Sequence, residues 1–287
     1  MCVARRRGIV CALLAAAFYA LNAPAAKLLL GRVEPTMLAA LLYLGCGAGM
    51  AALGAARRNR PQEGLTRREL PYVVAMVALD VAAPIALMLG LSLSDSASVS
   101  LLNNFEIVAT SLIALAVFGE RVSKRLWMGI GLVTASSAML SLQCEGGLTL
   151  NVGALFVLAA CVCWGFENNC TRVLSGKDPL KIVVIKGIFS GLGSLLVALT
   201  AGERFPGAKD VLMALLLGFA AYGLSIFFYI PAQRRLGAAR TSAYYAVAPF
   251  IGVLLSWAIF REPPAAWFLA ALAVMAAGIY AVTTDVQ

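Results

Sequence analysis

Leu101-Leu102-Asn103-Asn104-Phe105-Glu106-Ile107-Val108-Ala109-Thr110 runs on through apolar residues to Phe118-Gly119-Glu120-Arg121. A carboxylate and two amides sit in the middle of a long apolar run. In water this would make a strange core helix. In a bilayer it reads as a spanning helix with an ionisable group near the midplane, which is costly and usually functional. The reading of Glu106 therefore depends on whether the chain lives in a membrane.

Composition answers that. Of 287 residues, 61% are hydrophobic and 13% charged, and there is no histidine. Mean hydropathy is +0.88. A soluble domain carries about 25% charged residues, so the chain reads as an all-α polytopic membrane protein whose first partner is the lipid bilayer. The formal charge of +9 does not point to nucleic acid, because the basic residues lie in short loops between apolar runs, where they orient helices. Arg5-Arg6-Arg7 before an apolar run resembles a signal peptide, with Ala23-Pro24-Ala25 as its cleavage site. That reading fails, since the run continues to about Leu30, long enough to span. The seven cysteines fall mostly inside apolar runs and read as small apolar residues. Cys161 and Cys163 lack a second pair at ligand spacing, so no metal site is expected. No phosphate-binding Gly-x-x-x-x-Gly-Lys loop is present, and no cofactor is expected.

A span needs about 20 apolar residues. Ten such stretches can be drawn: 9–31, 35–56, 70–92, 96–118, 125–142, 152–174, 180–200, 209–233, 238–260 and 264–284. With both termini in the cytoplasm, the inner segments hold 17 Lys and Arg and the outer segments 4. That bias sets the orientation and supports an even number of spans. It predicts an inner (plasma) membrane protein.

The chain also repeats itself. Gly8 and Gly153 begin spans 145 residues apart, and Lys27 and Arg172 end them at the same offset. Pro35 and Pro179, Gly47 and Gly191, and Gly49 and Gly193 match at 144. Glu120 and Glu262 match at 142, and Trp127 and Trp267 at 140. This divides the chain into five-helix repeats, 1–146 and 147–287. Five is odd, so the second half enters the membrane inverted. That is the architecture of alternating-access carriers, with substrate near the midplane between the halves.

With these features the chain resembles the EamA-type family of the drug/metabolite transporter superfamily. The likeness covers essentially the whole chain. It rests on the five-plus-five repeat, on Phe118-Gly119-Glu120-Arg121 and Phe260-Arg261-Glu262, on Ala248-Pro249-Phe250, and on the basic end of the first span in each half. Where the family often has a proline in the fourth span, this chain has Ile107. The resemblance implies export of small metabolites, amino acids or related zwitterions first. A proton-coupled exporter of drugs or cationic compounds is the alternative. An intramembrane lipid-modifying enzyme is disfavoured by the lack of histidine and of a nucleophile–base pair. The expected partners are a small-molecule substrate and, as a candidate coupling ion, the proton. The sequence is compatible with a monomer or a homodimer.

At about 1.5 Å per residue, Glu106, Asp80 and Asn22 lie at one central depth. Asn103, Glu106 and Thr110 are spaced i, i+3, i+7 and share one face, which must look into the protein. Either these acids bind a cation or a proton, or they only bond neighbouring helices. A second cluster holds Glu167 and Asn168 in the sixth span, at the same depth as Lys186 in the seventh. The two charges read as a pair, either an inner gate or a fixed joint. Tyr19, Trp164, Tyr244 and Tyr245 lie near the polar groups and read either as cavity walls or as packing. Glu120 and Glu262 read as interfacial structural residues. Pro24, Pro84, Pro231 and Pro249 interrupt helices and are candidate hinges. Gly47, Gly49, Gly187, Gly191 and Gly193 permit close helix approach.

Overall fold

The computed structural model describes residues 3–56, 65–94, 99, 102–141, 152–261 and 268–284. Glu262, Trp267, Cys2 and Cys144 lie outside the described residues. The helices are α1 Val3–Tyr19, α2 Asn22–Leu30, α3 Pro35–Ala56, α4 Leu70–Ser92, α5 Phe105–Ala116, α6 Lys124–Ser141 and α7 Val152–Leu174. They continue as α8 Pro179–Ile185, α9 Gly191–Thr200, α10 Ala208–Leu217, α11 Ser225–Leu236, α12 Ala238–Tyr245, α13 Ala248–Phe260 and α14 Phe268–Thr283. Among the described residues seven helical stretches are long and apolar enough to cross a membrane. Phe105–Ala116 and Leu269–Thr283 are shorter apolar helices. The expected fourth and tenth spans both reach into residues outside the described set.

The centre of the bundle is α3. Its Met37, Leu38, Leu42, Tyr43, Cys46 and Met50 are fully or almost fully buried. Around it pack α4, α8, α9 and α10, together with two π-helical turns, Lys186–Ser190 and Gly218–Leu224. A π turn inserts a residue into the helical ladder. At 3.6 residues per turn, that rotates the next stretch of helix by about 100°. Both turns bring a glycine against the backbone of α3. A Cβ on Gly187 would stand 2.2 Å from the Gly47 nitrogen, and one on Gly218 would stand 2.0 Å from the Leu42 oxygen. Helices in lipid gain most from such close backbone packing, since burial against lipid tails supplies no hydrophobic drive. Elsewhere α4 lies along α7, α1 along α11, α5 along α7, α1 along α12, and α6 along α14.

Carboxylates cap the helix starts, as expected where orphan N–H groups and the helix dipole favour negative charge. Glu203 accepts from the Thr36 and Met37 amides at the start of α3. Glu120 accepts from the Ala238 amide at the start of α12, 3.1 Å away. Glu120 is thus a structural residue at a loop margin, as its position suggests. Arg5 donates to the Thr283 carbonyl at 2.9 Å, so the two ends of the chain meet on one face.

Three expected spans are not continuous helices. The first breaks at Ala20–Leu21 between α1 and α2, and the ninth at Ala246–Val247 between α12 and α13. The first break falls three to four residues before Pro24 and the second two to three before Pro249; a proline ring lacks a donor and clashes with the carbonyl one turn earlier. Pro84 and Pro231 break nothing; α4 and α11 run through them. The fourth span breaks at Asn103–Asn104, where no proline stands. Here Glu106 and Ile107 donate back only three residues, to Asn103 and Asn104, at 3.1 Å each. The Cys161 thiol donates to the Leu102 and Asn103 carbonyls. The freed backbone groups are therefore satisfied within the protein, as a bilayer requires.

Gly218→Leu is expected to lower the thermal unfolding midpoint of the detergent-solubilised protein by several degrees or to abolish folding, since overpacking typically costs about 1–3 kcal/mol or more. Gly131→Leu, at a position with open space around it, should leave the midpoint unchanged. Equal midpoints for both variants would refute the close-packed role of the π turn.

Candidate functional site

Lys186 opens the first π turn and is buried between two acids. Its ammonium lies 2.7 Å from Glu167 Oε1 on α7 and 3.2 Å from Asp80 Oδ2 on α4. The pair with Glu167 is the one that matching depth predicts. Asp80 is an addition, because depth alone gave it no partner. Both carboxylates also accept from neutral hydroxyls. Tyr43 donates to Asp80 Oδ1 at 2.8 Å, and Thr171 donates to Glu167 Oε1. Such satisfaction is what makes a buried charge cluster tolerable.

Glu106 sits in the first turn of α5, just beyond the break. Asn168 Nδ2 donates to Glu106 Oε1 at 2.6 Å and lies 3.2 Å from Thr110 Oγ1. The Asn169 amide donates to the Thr110 and Gly165 carbonyls, at 3.0 and 2.8 Å. Gln233 on α11 donates to the Asn168 carbonyl at 2.9 Å. Glu106 and Thr110 thus share the face that their spacing predicts. Asn103 does not continue it, because the helix restarts at Phe105. It donates instead to the Tyr19 hydroxyl at 3.1 Å.

These groups surround a small internal cavity of about 50 Å³. Tyr19, Asp80, Glu106, Trp164, Glu167, Asn168, Lys186 and Tyr245 all line it. The aromatic wall is built around Tyr19, whose ring lies 5.4 Å from Tyr245, 5.8 Å from Tyr222 and 6.3 Å, edge-on, from Trp164. Two expectations change. Asn22 and Asn103 line a smaller neighbouring space of about 20 Å³, which meets the first at Tyr19. Tyr244 is buried away from both and donates to Thr283 Oγ1 at 2.9 Å. It faces a different side of α12 from Tyr245, since adjacent helical residues point about 100° apart.

The lining also includes Tyr43, Thr171, Tyr222 and Ser225, which the sequence reading passed over, and Tyr229, which beside Phe227 and Phe228 reads from sequence as packing. One signal was available. Tyrosines in lipid-facing spans favour the interfaces, whereas Tyr43 and Tyr222 lie well inside theirs.

Two stretches, residues 6–142 and 151–284, match the model of the EamA-like transporter family. The chain belongs to the EamA-like transporter family. It is accordingly a multi-pass membrane protein of the drug/metabolite transporter superfamily. It is 24% identical over 276 residues to an uncharacterized transporter of Methanothermobacter thermautotrophicus, covering 89% of this chain and 80% of that protein. A protein of solved crystal structure superimposes with a TM-score of 0.78 at 20% identity, over 96% of each chain. At that identity the likeness speaks for the fold.

For this EamA-like chain, the triad gives a direct expectation. Lys186→Met leaves Asp80 and Glu167 facing each other without a cation, and removing one partner of such a buried group costs about 3–5 kcal/mol. Combining it with Glu167→Gln should restore part of the lost thermal stability. Strictly additive effects in this cycle would show the groups to be uncoupled.

Proposed function

We propose that this chain is a secondary carrier that exports small, amine-bearing metabolites by alternating access, with this polar cavity as its transport site. The observation that carries the reading is the composition of that cavity. Its walls come from both halves of the chain: Tyr19, Tyr43, Asp80 and Glu106 from the first, Trp164, Glu167, Lys186, Tyr222 and Tyr245 from the second. A polar, charged cavity at such a seam is where a carrier holds its substrate.

The full architecture proposed is ten spans in two inverted five-helix repeats, divided near residues 146 and 147. The helix pairings support it. Exchanging the halves maps the packing of α4 on α7 onto that of α11 on α1, and α5 on α7 onto α12 on α1. The pairs α3 with α9 and α6 with α14 map onto themselves. The breaks at Asn103–Asn104 and Ala246–Val247 are also equivalent at the offset of about 143 that the repeat implies. An inner-membrane location with cytoplasmic termini is supported by the 17-to-4 bias of basic residues. The common face of the two chain ends agrees with it.

Amino acids or related zwitterions are the substrate class suggested by family resemblance. Proton-coupled export of cationic compounds is the second reading, favoured by the three carboxylates around the cavity. Glu167 with Lys186 is a candidate inner gate. Glu106 is the proposed coupling or substrate-binding acid.

Glu106→Gln is expected to abolish counterflow in proteoliposomes while the protein still inserts and stays monodisperse. Wild-type rates in that variant would reduce Glu106 to a helix-joining role. A twofold or smaller response of wild-type counterflow to an imposed pH gradient would remove the proton from the scheme.

A further inference from the structure

The charge arrangement in the cavity goes further than the family does, and this inference rests on the reading of the cavity as the transport site. Among its described lining residues Lys186 is the one cation, facing three carboxylates, Asp80, Glu106 and Glu167. Lys186 is already engaged on both sides, by Glu167 at 2.7 Å and Asp80 at 3.2 Å. A substrate carboxylate could reach it only by displacing one of these acids and leaving that acid buried without its cation. Buried charges are strongly destabilising when a partner is removed. Glu106 stands differently. No ion pair among the described residues includes it; its Oε1 takes a hydrogen bond from a neutral amide, that of Asn168. A buried carboxylate holds its charge only beside a partner, and a mobile cation can be that partner.

The walls opposite are suited to that cation. Tyr19, Trp164, Tyr222, Tyr229 and Tyr245 ring the same cavity, with Tyr229 and Tyr245 centroids 5.0 Å apart and nearly perpendicular. Aromatic faces attract ammonium groups, the more so when both are out of water. The same rings offer an apolar surface to the rest of the ligand.

We propose that the cavity selects a protonated amine that carries no carboxylate, held between Glu106 and the aromatic wall, and that it rejects the corresponding zwitterion. The preference comes from the lack of a free cation on the wall. Lys186 fixes the acids instead of binding substrate.

The test uses matched pairs that differ only in the carboxyl group. Phenylalanine, its methyl ester and phenylethylamine form one series, and leucine with its decarboxylated amine forms another. Counterflow into proteoliposomes of the full chain is read together with quenching of tryptophan fluorescence, with Trp164→Phe as the control that assigns the signal to the cavity. The expected result is that ester and amine exceed the parent amino acid by at least tenfold in both readouts. Glu106→Gln should remove that difference. Amino acids taken equally or better would overturn the proposal and leave the carrier reading standing. Absence of binding and counterflow for every member, against active reconstitution of a control carrier, would overturn both.

Discussion

The Lys186 ammonium holds together helices that are far apart in sequence. It ties the π turn after α8 to Asp80 on α4 and to Glu167 on α7, and through Asp80 it reaches Tyr43 on α3. Lipid at this depth offers no hydrogen bonds, and the Lys186 charge is met inside the protein. Two acids on one base leave little freedom, and the four helices that supply these groups are fixed in rotation as well as in depth. The glycines of the π turns serve the same end, because the lysine can reach both acids only if its helix lies against α3. The cavity exists beside this cluster and not elsewhere, since its floor is set by groups whose positions are already determined.

The broken helices complete the site from the other side. At Ala20–Leu21, Asn103–Asn104 and Ala246–Val247 the ladder of backbone bonds is interrupted close to Tyr19, Glu106 and Tyr245. A break places a side chain at the end of a helix instead of on its flank, and Glu106 gains the first turn of α5 as its setting. Two breaks have prolines to cause them. At the third, which has no proline, tight backbone turns and the Cys161 thiol take over. Cys161 is thus more than a small apolar filler. It compensates for an unwound turn where lipid offers no donors.

These two features divide the polar groups into different tasks. Asp80 and Glu167 share the Lys186 ammonium, and each already has a charge beside it. Glu106, with an amide for a neighbour and aromatic rings lining the same cavity, has no ion-pair partner among the described residues. An acid in the middle of an apolar run is costly in either case, but only an acid lacking a fixed cation is free to exchange one. The repeat makes the same distinction, since the counterpart of Glu106 in the second half is Ala248.

Sequence alone determined the membrane class and the placing of its long apolar helices; the orientation preference and the expected depth of each ionisable group are readings of the same kind. All of these come from hydropathy and from a rise of about 1.5 Å per residue, which are functions of position along one chain. It therefore matched Glu167 with Lys186, which lie near the same end of neighbouring spans. Which way each helix faces was not legible. Two π turns rotate the helices beyond them, and the break at Asn103–Asn104 carries no proline to announce it. For that reason Asp80 found its lysine, Asn22 and Asn103 moved to the smaller cavity, Tyr244 turned away, and Tyr43 and Tyr222 entered the wall only in the tertiary structure. Depth is written in sequence because it is a sum along the chain; azimuth depends on packing between segments distant in that sum, and only the folded bundle decides it.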